Sequence, residues 1–206
     1  MNIPVETSAR HVHLSQEHLE ILFGKGHQLQ MVRSLSQPGQ YACVEKLTII
    51  GPEVGGECKK IENVTILGPV REMTQVEISL TDARNLRLDV PIRESGFLKG
   101  SGCCVLKGPR GSVELNEGVI ISKRHIHMTP EDAKNLKVKN GDIVSVGVVG
   151  DPDRDVIYCD VVVRVSSTAR LAMHLDTDEA NATGQNKQKY GQIIAGINCI
   201  DAYNRN

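Results

Sequence analysis

Two short segments of this 206-residue chain have nearly the same sequence, and they constrain its fold more than any other feature. The first runs from Ser8 to Glu17 and reads SARHVHLSQE, and the second runs from Ser122 to Glu131 and reads SKRHIHMTPE. The two are offset by 114 residues. Self-similarity at this distance predicts two similar substructures within one chain.

Each segment carries two histidines separated by one β-branched apolar residue: His11 and His13 in the first, His125 and His127 in the second. On an extended strand, residues i and i+2 point to the same face, so the two imidazoles converge. On a helix the same two side chains would lie about 200° apart. An extended His-x-His is therefore a bidentate metal chelate that needs one or two further ligands. The alternative is an inherited repeat whose imidazoles are satisfied within the core.

Three residues elsewhere are candidates to complete such a site. His174 alternates with apolar neighbours on a predicted strand, where a core histidine is the alternative. Glu77 lies among apolar residues, where an unpaired carboxylate is costly unless it meets an ion, an arginine or solvent. Arg71 follows a Gly-Pro turn and is suited to bidentate phosphate binding, although most arginines are only solvated. His18 and His27 are predicted to be surface residues.

The spacing of apolar residues and turn signals predicts short strands in series, which favours small barrels over a βαβ sheet. A polar stretch at about 27–44 is expected to form a hairpin excursion. The main predicted elements are a helix over Gln16–Phe23, a strand over Val44–Ile50 ended by Gly51-Pro52, a strand over Thr74–Leu80 and a last strand over Gln192–Ile200.

Composition excludes several classes of partner. The formal net charge is −1 and no run of Lys or Arg stands out, which argues against a broad nucleic-acid or membrane-surface footprint. No apolar run reaches the roughly 18 residues of a membrane span, and the first residues lack a signal-peptide core, so a cytoplasmic protein is expected. The six cysteines form no C-x-x-C pair and are predicted to be reduced thiols.

Beyond these residue-level arguments, the chain resembles the PduL-type phosphate propanoyltransferases (phosphotransacylases) over about residues 8–195. That family interconverts acyl-CoA plus phosphate with acyl phosphate plus CoA. The resemblance rests on the two repeated segments together with LGPVR at Leu67–Arg71, TQVE at Thr74–Glu77, VPIRESG at Val90–Gly96 and HLDTDEAN at His174–Asn181.

The resemblance implies a mainly β fold of two small β-barrel domains capped by short α-helices and related by the internal repeat. One domain would comprise residues 1–9 and 123–206, and the other residues 10–122. It also implies two zinc ions and an essential arginine, Arg71. The implied zinc ligands are His11, His13 and Glu77, which leave a position for the CoA sulfur, and His125, His127 and His174, completed by water or phosphate.

The expected activity is reversible transfer of a propanoyl or acetyl group between coenzyme A and inorganic phosphate, in a possible homodimer. Family members of microcompartments carry an N-terminal targeting extension, whereas only seven residues precede Ser8 here, so a cytoplasmic form is expected. Two rival functions stay open. One is a binuclear zinc hydrolase of a phosphoester or thioester, and the other is a non-catalytic module stabilised by zinc.

Overall fold

A computed structural model describes residues 1–150, 154–184 and 188–194. Strands hold far more of these residues than helices do, and the helices are short. The strands are β1 Ile3–Thr7, β2 His11–His13, β3 Met31–Ser34, β4 Tyr41–Val54, β5 Glu57–Gly68, β6 Gln75–Glu77, β7 Ile92–Arg93, β8 Gly102–Lys107, β9 Ser112–Ser122, β10 His125–Met128, β11 Ile143–Val148, β12 Val156–Val165, β13 Ala172–Leu175 and β14 Lys189–Ile194. The helices are α1 Gln16–Phe23, α2 Leu80–Leu86, α3 Pro130–Leu136 and α4 Thr177–Ala182.

The chain divides into two compact units, one formed by residues 1–8 with the described part of 123–206, and the other by residues 9–122. In the first unit, β1, β13, β10, β12, β11 and β14 close into a barrel. In the second, β4, β5, β2, β6, β9 and β8 close into a ring in the same way, and β3 and β7 pair outside it. The predicted mainly β fold of two small barrels with short helices is confirmed.

The two barrels share one strand plan. Each His-x-His strand has a parallel neighbour, β5 or β12, and an antiparallel neighbour, β6 or β13. The strand before each repeated segment belongs to the other unit: β1 leads into β2, and β9 leads into β10. The barrel that holds one copy of the motif is therefore completed by the strand that precedes the other copy.

Each barrel has its own apolar core. Val12 and Ile126, the residues between the paired histidines, are both fully buried. Val12 belongs to a cluster with Ile49, Ile66 and Leu106, and Ile126 belongs to a second cluster around Met173, Val163 and Val146. The apolar face of each His-x-His strand thus anchors the strand, and the histidines occupy its other face.

A helix follows each strand that carries a candidate ligand. The N-cap residue comes two positions after that ligand in all four cases: Ser15 after His13, Ser79 after Glu77, Thr129 after His127 and Asp176 after His174. Each N-cap side chain accepts a hydrogen bond from the backbone of the first turn, which fixes where strand becomes helix. None of the helices in the described residues is long or apolar enough to cross a membrane.

Several sequence-based expectations are corrected. Gly51-Pro52 does not end a strand, because β4 continues to Val54 through a register shift after Ile50. A Cβ at Gly51 would lie 2.0 Å from the Leu86 carbonyl oxygen, so glycine is required for the close approach of α2. The expected strand Thr74–Leu80 is restricted to β6, because Ser79 caps α2.

The third correction concerns cysteine. Cys159 on β12 is disulfide-bonded, whereas Cys43, Cys58, Cys103 and Cys104 are free thiols. The absence of a C-x-x-C pair was a poor guide, because a fold brings together cysteines that are distant in sequence. The last strand begins at Lys189, before the predicted Gln192, and its expected continuation over 195–200 lies outside the described residues.

Candidate metal centres

The imidazoles of each His-x-His strand lie side by side on one face. The ring centroids of His11 and His13 are 5.0 Å apart, and those of His125 and His127 are 4.7 Å apart. Both pairs are perpendicular, edge to face. The period-2 alternation of an extended strand therefore produces the predicted convergence in both copies.

Backbone carbonyls orient the first histidine of each pair. The Nδ1 atom of His11 lies 2.8 Å from the Ala9 carbonyl oxygen, and Nδ1 of His125 lies 2.8 Å from the Lys123 carbonyl oxygen. Because a carbonyl oxygen can only accept, each Nδ1 carries the hydrogen and donates it. The lone pair of the neutral ring is thereby left on Nε2, which is the arrangement found around metal-binding histidines.

The third candidate ligand stands directly opposite that first histidine in both barrels. Glu77 on β6 is the register partner of His11, and His174 on β13 is the register partner of His125. The ligand atoms of His11, His13 and Glu77 lie within 4.8 Å of one another, and the same holds for His125, His127 and His174. We call these sets the first and the second group; each could hold one metal ion.

The first group is buried and mixes an acid with imidazoles. Burial alone would raise the pKa of Glu77, but the positive charges of His11, His13 and Arg71 outweigh it and hold the pKa well below its usual range. Burial also opposes a charge on His11, yet the nearby carboxylate raises the pKa of that ring. Burial, followed by the charges of His11 and Arg71, lowers the pKa of His13 to about 3. An ionised carboxylate and a neutral imidazole are both competent ligands.

The second group consists of imidazoles only. Burial, followed by the charges of His125 and His174, lowers the pKa of His127 to about 3. The Nε2 atoms of His125 and His127 lie 3.1 Å apart. The Nε2 atom of His174 is buried and makes no hydrogen bond within the described residues, although a carboxylate oxygen of Glu6 lies 3.3 Å away. The two atoms are close enough for an ion pair, but their geometry is not that of a hydrogen bond.

These distances fit a tetrahedral metal ion. Two ligand atoms at roughly 2.0–2.1 Å from a tetrahedral zinc are about 3.3 Å apart. The observed separations are 3.1 Å between the Nε2 atoms of His125 and His127, and 3.6 Å between His11 Nε2 and Glu77 Oε1. A buried His174 nitrogen without a hydrogen bond is likewise costly unless it binds something. The residues present therefore fit a divalent metal in both groups.

Arg71 lies beside the first group. Its backbone N–H donates to the Leu14 carbonyl oxygen at 2.9 Å, which ties it to the end of the His11–His13 strand. Its guanidinium Nη1 donates to Ser95 Oγ at 3.2 Å. The same Ser95 oxygen accepts from Gln75 Nε2 at 2.8 Å, and Gln75 also donates to Glu77. A hydrogen-bonded chain thus connects the arginine to the carboxylate.

Sequence reasoning missed several residues of this neighbourhood. Gln75 and Ser95 belong to motifs quoted for the family, but no residue-level signal marked them. Glu6 was detectable, because the repeat offset pairs it with Ile120 and so reveals a break in the repeat. His18 and His27, which were expected to be surface residues, are half-buried, with His18 Nδ1 2.8 Å from Thr74 Oγ1 and His27 Nε2 2.7 Å from Glu45.

Known proteins are similar to this chain over most of its length. The family model for phosphate propanoyltransferase matches residues 4–186. A phosphate propanoyltransferase of Lachnoclostridium phytofermentans is 51% identical over 93% of this chain and 85% of its own length. Proteins of the same name from Listeria monocytogenes and Salmonella typhimurium are 50% and 47% identical, each over 93% of this chain and over 87% and 89% of their own lengths. The chain belongs to the phosphate propanoyltransferase family, whose members are acyltransferases.

Proposed function

We propose that this chain is a phosphotransacylase that reversibly transfers a propanoyl or acetyl group between coenzyme A and inorganic phosphate with the help of two zinc ions. The observation that carries the proposal is the pair of register-equivalent ligand groups, one of them beside Arg71, in a chain of this family. Neither the ligand groups nor the family membership suffices alone, because the ligand geometry is also compatible with hydrolysis and a family name does not identify ligands.

In the proposed enzyme, His11, His13 and Glu77 hold one zinc ion, and His125, His127 and His174 hold the other. A bound zinc ion supplies Lewis acidity, which stabilises a thiolate and offsets negative charge that develops on oxygen. Three protein ligands leave a coordination position open in each group, as is usual for catalytic rather than structural zinc.

Arg71 is proposed to bind phosphate. A guanidinium presents two parallel N–H groups that match two phosphate oxygens, and a phosphate held beside the thioester carbonyl attacks as if the reaction were intramolecular. The phosphate oxygen adds to the acyl carbon to give a tetrahedral intermediate, and collapse of that intermediate breaks the bond from the carbon to the CoA sulfur, which leaves as a thiolate. Arg71 also offsets charge on the tetrahedral intermediate.

The contacts of Arg71 support this role. Its charge reaches both His13 and Glu77, so it lies within electrostatic range of the first group. Its hydrogen bond to Ser95 holds one guanidinium nitrogen in a fixed direction. A fixed guanidinium beside a candidate metal is what phosphate positioning requires.

The direct test follows thiol release from acetyl-, propanoyl- and butanoyl-CoA with and without inorganic phosphate. The proposal expects release only with phosphate, with formation of an equal amount of acyl phosphate. Phosphate-independent release would instead identify a hydrolase that uses water, and no release with any acyl-CoA would leave only a zinc-stabilised module. Trapping of a stable acyl-enzyme would contradict direct transfer.

Substitution of the arginine sharpens this test. Arg71→Ala should lower kcat by about 10²–10³-fold, the usual loss when one group that stabilises the transition state is removed. Its metal content should stay at the wild-type value, because no ligand is changed. Arg93→Ala, which removes an exposed guanidinium whose one observed hydrogen bond is to its neighbour Ile92, is the matched control and should stay near wild type. A near-normal kcat for Arg71→Ala would remove Arg71 from the mechanism.

Two finer parts of the proposal are a homodimer and a cytoplasmic location. Analytical ultracentrifugation at micromolar concentration tests the first, with a monomer as the contradicting result. Fractionation of the native cell tests the second, with recovery in a sedimenting or exported fraction as the contradicting result.

A further inference from the structure

One residue of each repeated segment has no part in the proposed chemistry. It is the arginine directly before the first histidine: Arg10 in one copy and Arg124 in the other. Each pairs with a carboxylate that is far away in sequence. Arg10 Nε donates to Asp82 Oδ2 at 2.8 Å, and its Nη2 lies 2.7 Å from Oδ1, so the contact is bidentate. Arg124 Nε lies 3.0 Å from Glu179 Oε1.

The two carboxylates occupy equivalent positions. Asp82 is the third residue of α2, and Glu179 is the third residue of α4. Each completes a capping box, Asp82 with Ser79 and Glu179 with Asp176. The same side chain therefore closes the first turn of its helix and accepts the arginine. One such contact could be incidental, but two at equivalent places in both barrels indicate a shared device.

Each ion pair connects two segments that adjoin candidate ligands of the same group. Each arginine is attached to the strand that carries two histidines, and each carboxylate lies five residues after the third candidate ligand, Glu77 or His174. The pair consequently connects the His-x-His strand to the helix that immediately follows the third ligand. In these two strand pairs Glu77 faces His11 and His174 faces His125.

We propose that Arg10 and Arg124 are positioning residues, each of which keeps the third ligand of its own metal group in place. This inference rests on the proposed metal sites. It assigns to each arginine an effect on one group only, because each ion pair lies within one unit.

The burial of the partners indicates how much each pair matters. Asp82 is buried, with 3% of its surface exposed, and a buried carboxylate that loses its cation is strongly disfavoured. Glu179 is less buried, but its arginine lies 5.8 Å from the centroid of the Tyr158 ring. The Tyr158 hydroxyl in turn donates to the Glu179 carbonyl oxygen at 2.6 Å. The second pair is therefore supported by an aromatic side chain, whereas the first depends on its bidentate geometry.

Single-site proteins allow the inference to be tested at one group at a time. The full-length His125→Ala variant retains only the first group, and the His11→Ala variant retains only the second. In the His125→Ala background, Arg10→Gln should weaken zinc binding by about tenfold or more, at the lower end of the range for residues outside the ligand set. Arg124→Gln in that background should leave binding unchanged. The pattern should reverse in the His11→Ala background.

Zinc affinity is measured by competition with a chromophoric chelator, without any assay of activity. Arg10→Lys keeps the charge but not the two-pronged contact and should recover part of the affinity; it also replaces Arg10→Gln if that variant fails to fold. The matched control is Lys59→Gln, which breaks an exposed 2.9 Å ion pair with Glu57 in the same barrel and should change nothing. Unchanged affinity in all arginine variants, or an equal loss in both backgrounds, would overturn the inference.

A second readout separates this inference from the proposed function. If the wild-type protein binds no zinc, the proposed metal sites are wrong, but positioning can still be judged in the metal-free chain by amide hydrogen exchange. Arg10→Gln should then accelerate exchange in β2 and β6 relative to β10 and β13, and Arg124→Gln should do the opposite. Equal exchange rates in both pairs of strands would refute positioning even there.

Discussion

The two ligand groups have the same backbone and different chemistry. In each, a His-x-His strand lies between a parallel and an antiparallel neighbour, and the third ligand faces the first histidine. The third ligand is Glu77 in the first group and His174 in the second. The strand that carries the third ligand has a parallel neighbour on its other side. In the first group this neighbour is β9, which places Ile120 beside Glu77. In the second group it is β1, which places Glu6 beside His174.

The comparison shows that one carboxylate accompanies each group, but from a different strand. In the first group it is the third ligand itself, with an apolar neighbour. In the second it is a neighbour of the third ligand, 3.3 Å from the His174 nitrogen. The two barrels share the strand plan, and differences at two positions give the two groups different charge and different ligands. An arginine charge acts on each group, from Arg71 on the first and from Arg164 on the second.

Removal of the third ligands should produce the largest effect. Glu77→Ala should abolish metal binding in the first group and spare the second, and His174→Ala should do the reverse, because each residue supplies one of only three protein ligands. Elemental analysis of each purified variant should find one zinc ion per chain, against the two expected for the wild-type protein. An unchanged count in either variant would refute that ligand assignment.

A smaller effect is expected from the residue that breaks the repeat. Glu6→Gln removes a negative charge beside His174 and should weaken zinc binding in the second group by about tenfold, since Glu6 is partly exposed and its field is screened. Binding in the first group should not change. Glu62→Gln, which removes an exposed carboxylate from the other barrel, serves as the control. Equal affinity of Glu6→Gln and wild type for the second zinc would show that the carboxylate is only a bystander.

The smallest effect concerns the pH dependence of folding without metal. Because the folded pKa of His13 and His127 is about 3, against 6.5 in the unfolded chain, each contributes stability above pH 6.5 that is lost as the pH falls toward 3. The raised pKa of His11 acts in the opposite sense: its stabilisation is complete below pH 6.5 and is lost as the pH rises through the folded value. The first group should therefore lower the free energy of unfolding at both acid and alkaline pH, whereas the second should lower it only at acid pH.

Urea unfolding of the metal-free protein between pH 4.5 and 8.5, in the presence of a chelator, measures this pH dependence of the free energy of unfolding. His11→Gln should flatten the alkaline side, and His127→Gln should reduce the loss on the acid side. A pH profile that His11→Gln leaves unaltered would show that the His11–Glu77 pair contributes nothing to folding.

The two repeated segments were sufficient to predict the two His-x-His strands, because the period-2 geometry of a strand follows from local residue types. The helices after them were also predictable, since Ser15 and Thr129 are local capping signals. The place of β1 and β9 was implied only by the family resemblance, because nothing local to a strand says which barrel it completes. The pairing of Arg10 with Asp82 was missed for the same reason: 72 residues separate the partners, and only the fold brings them together.

The central claim is that each group holds one zinc ion with its own three ligands. A crystal structure of the zinc-loaded protein with anomalous data at the zinc edge tests it most directly. The account predicts two anomalous peaks per chain, one at roughly 2.0–2.2 Å from His11, His13 and Glu77 and one at the same distance from His125, His127 and His174. A single peak, or a peak bound by other residues while either group stays empty, would contradict it.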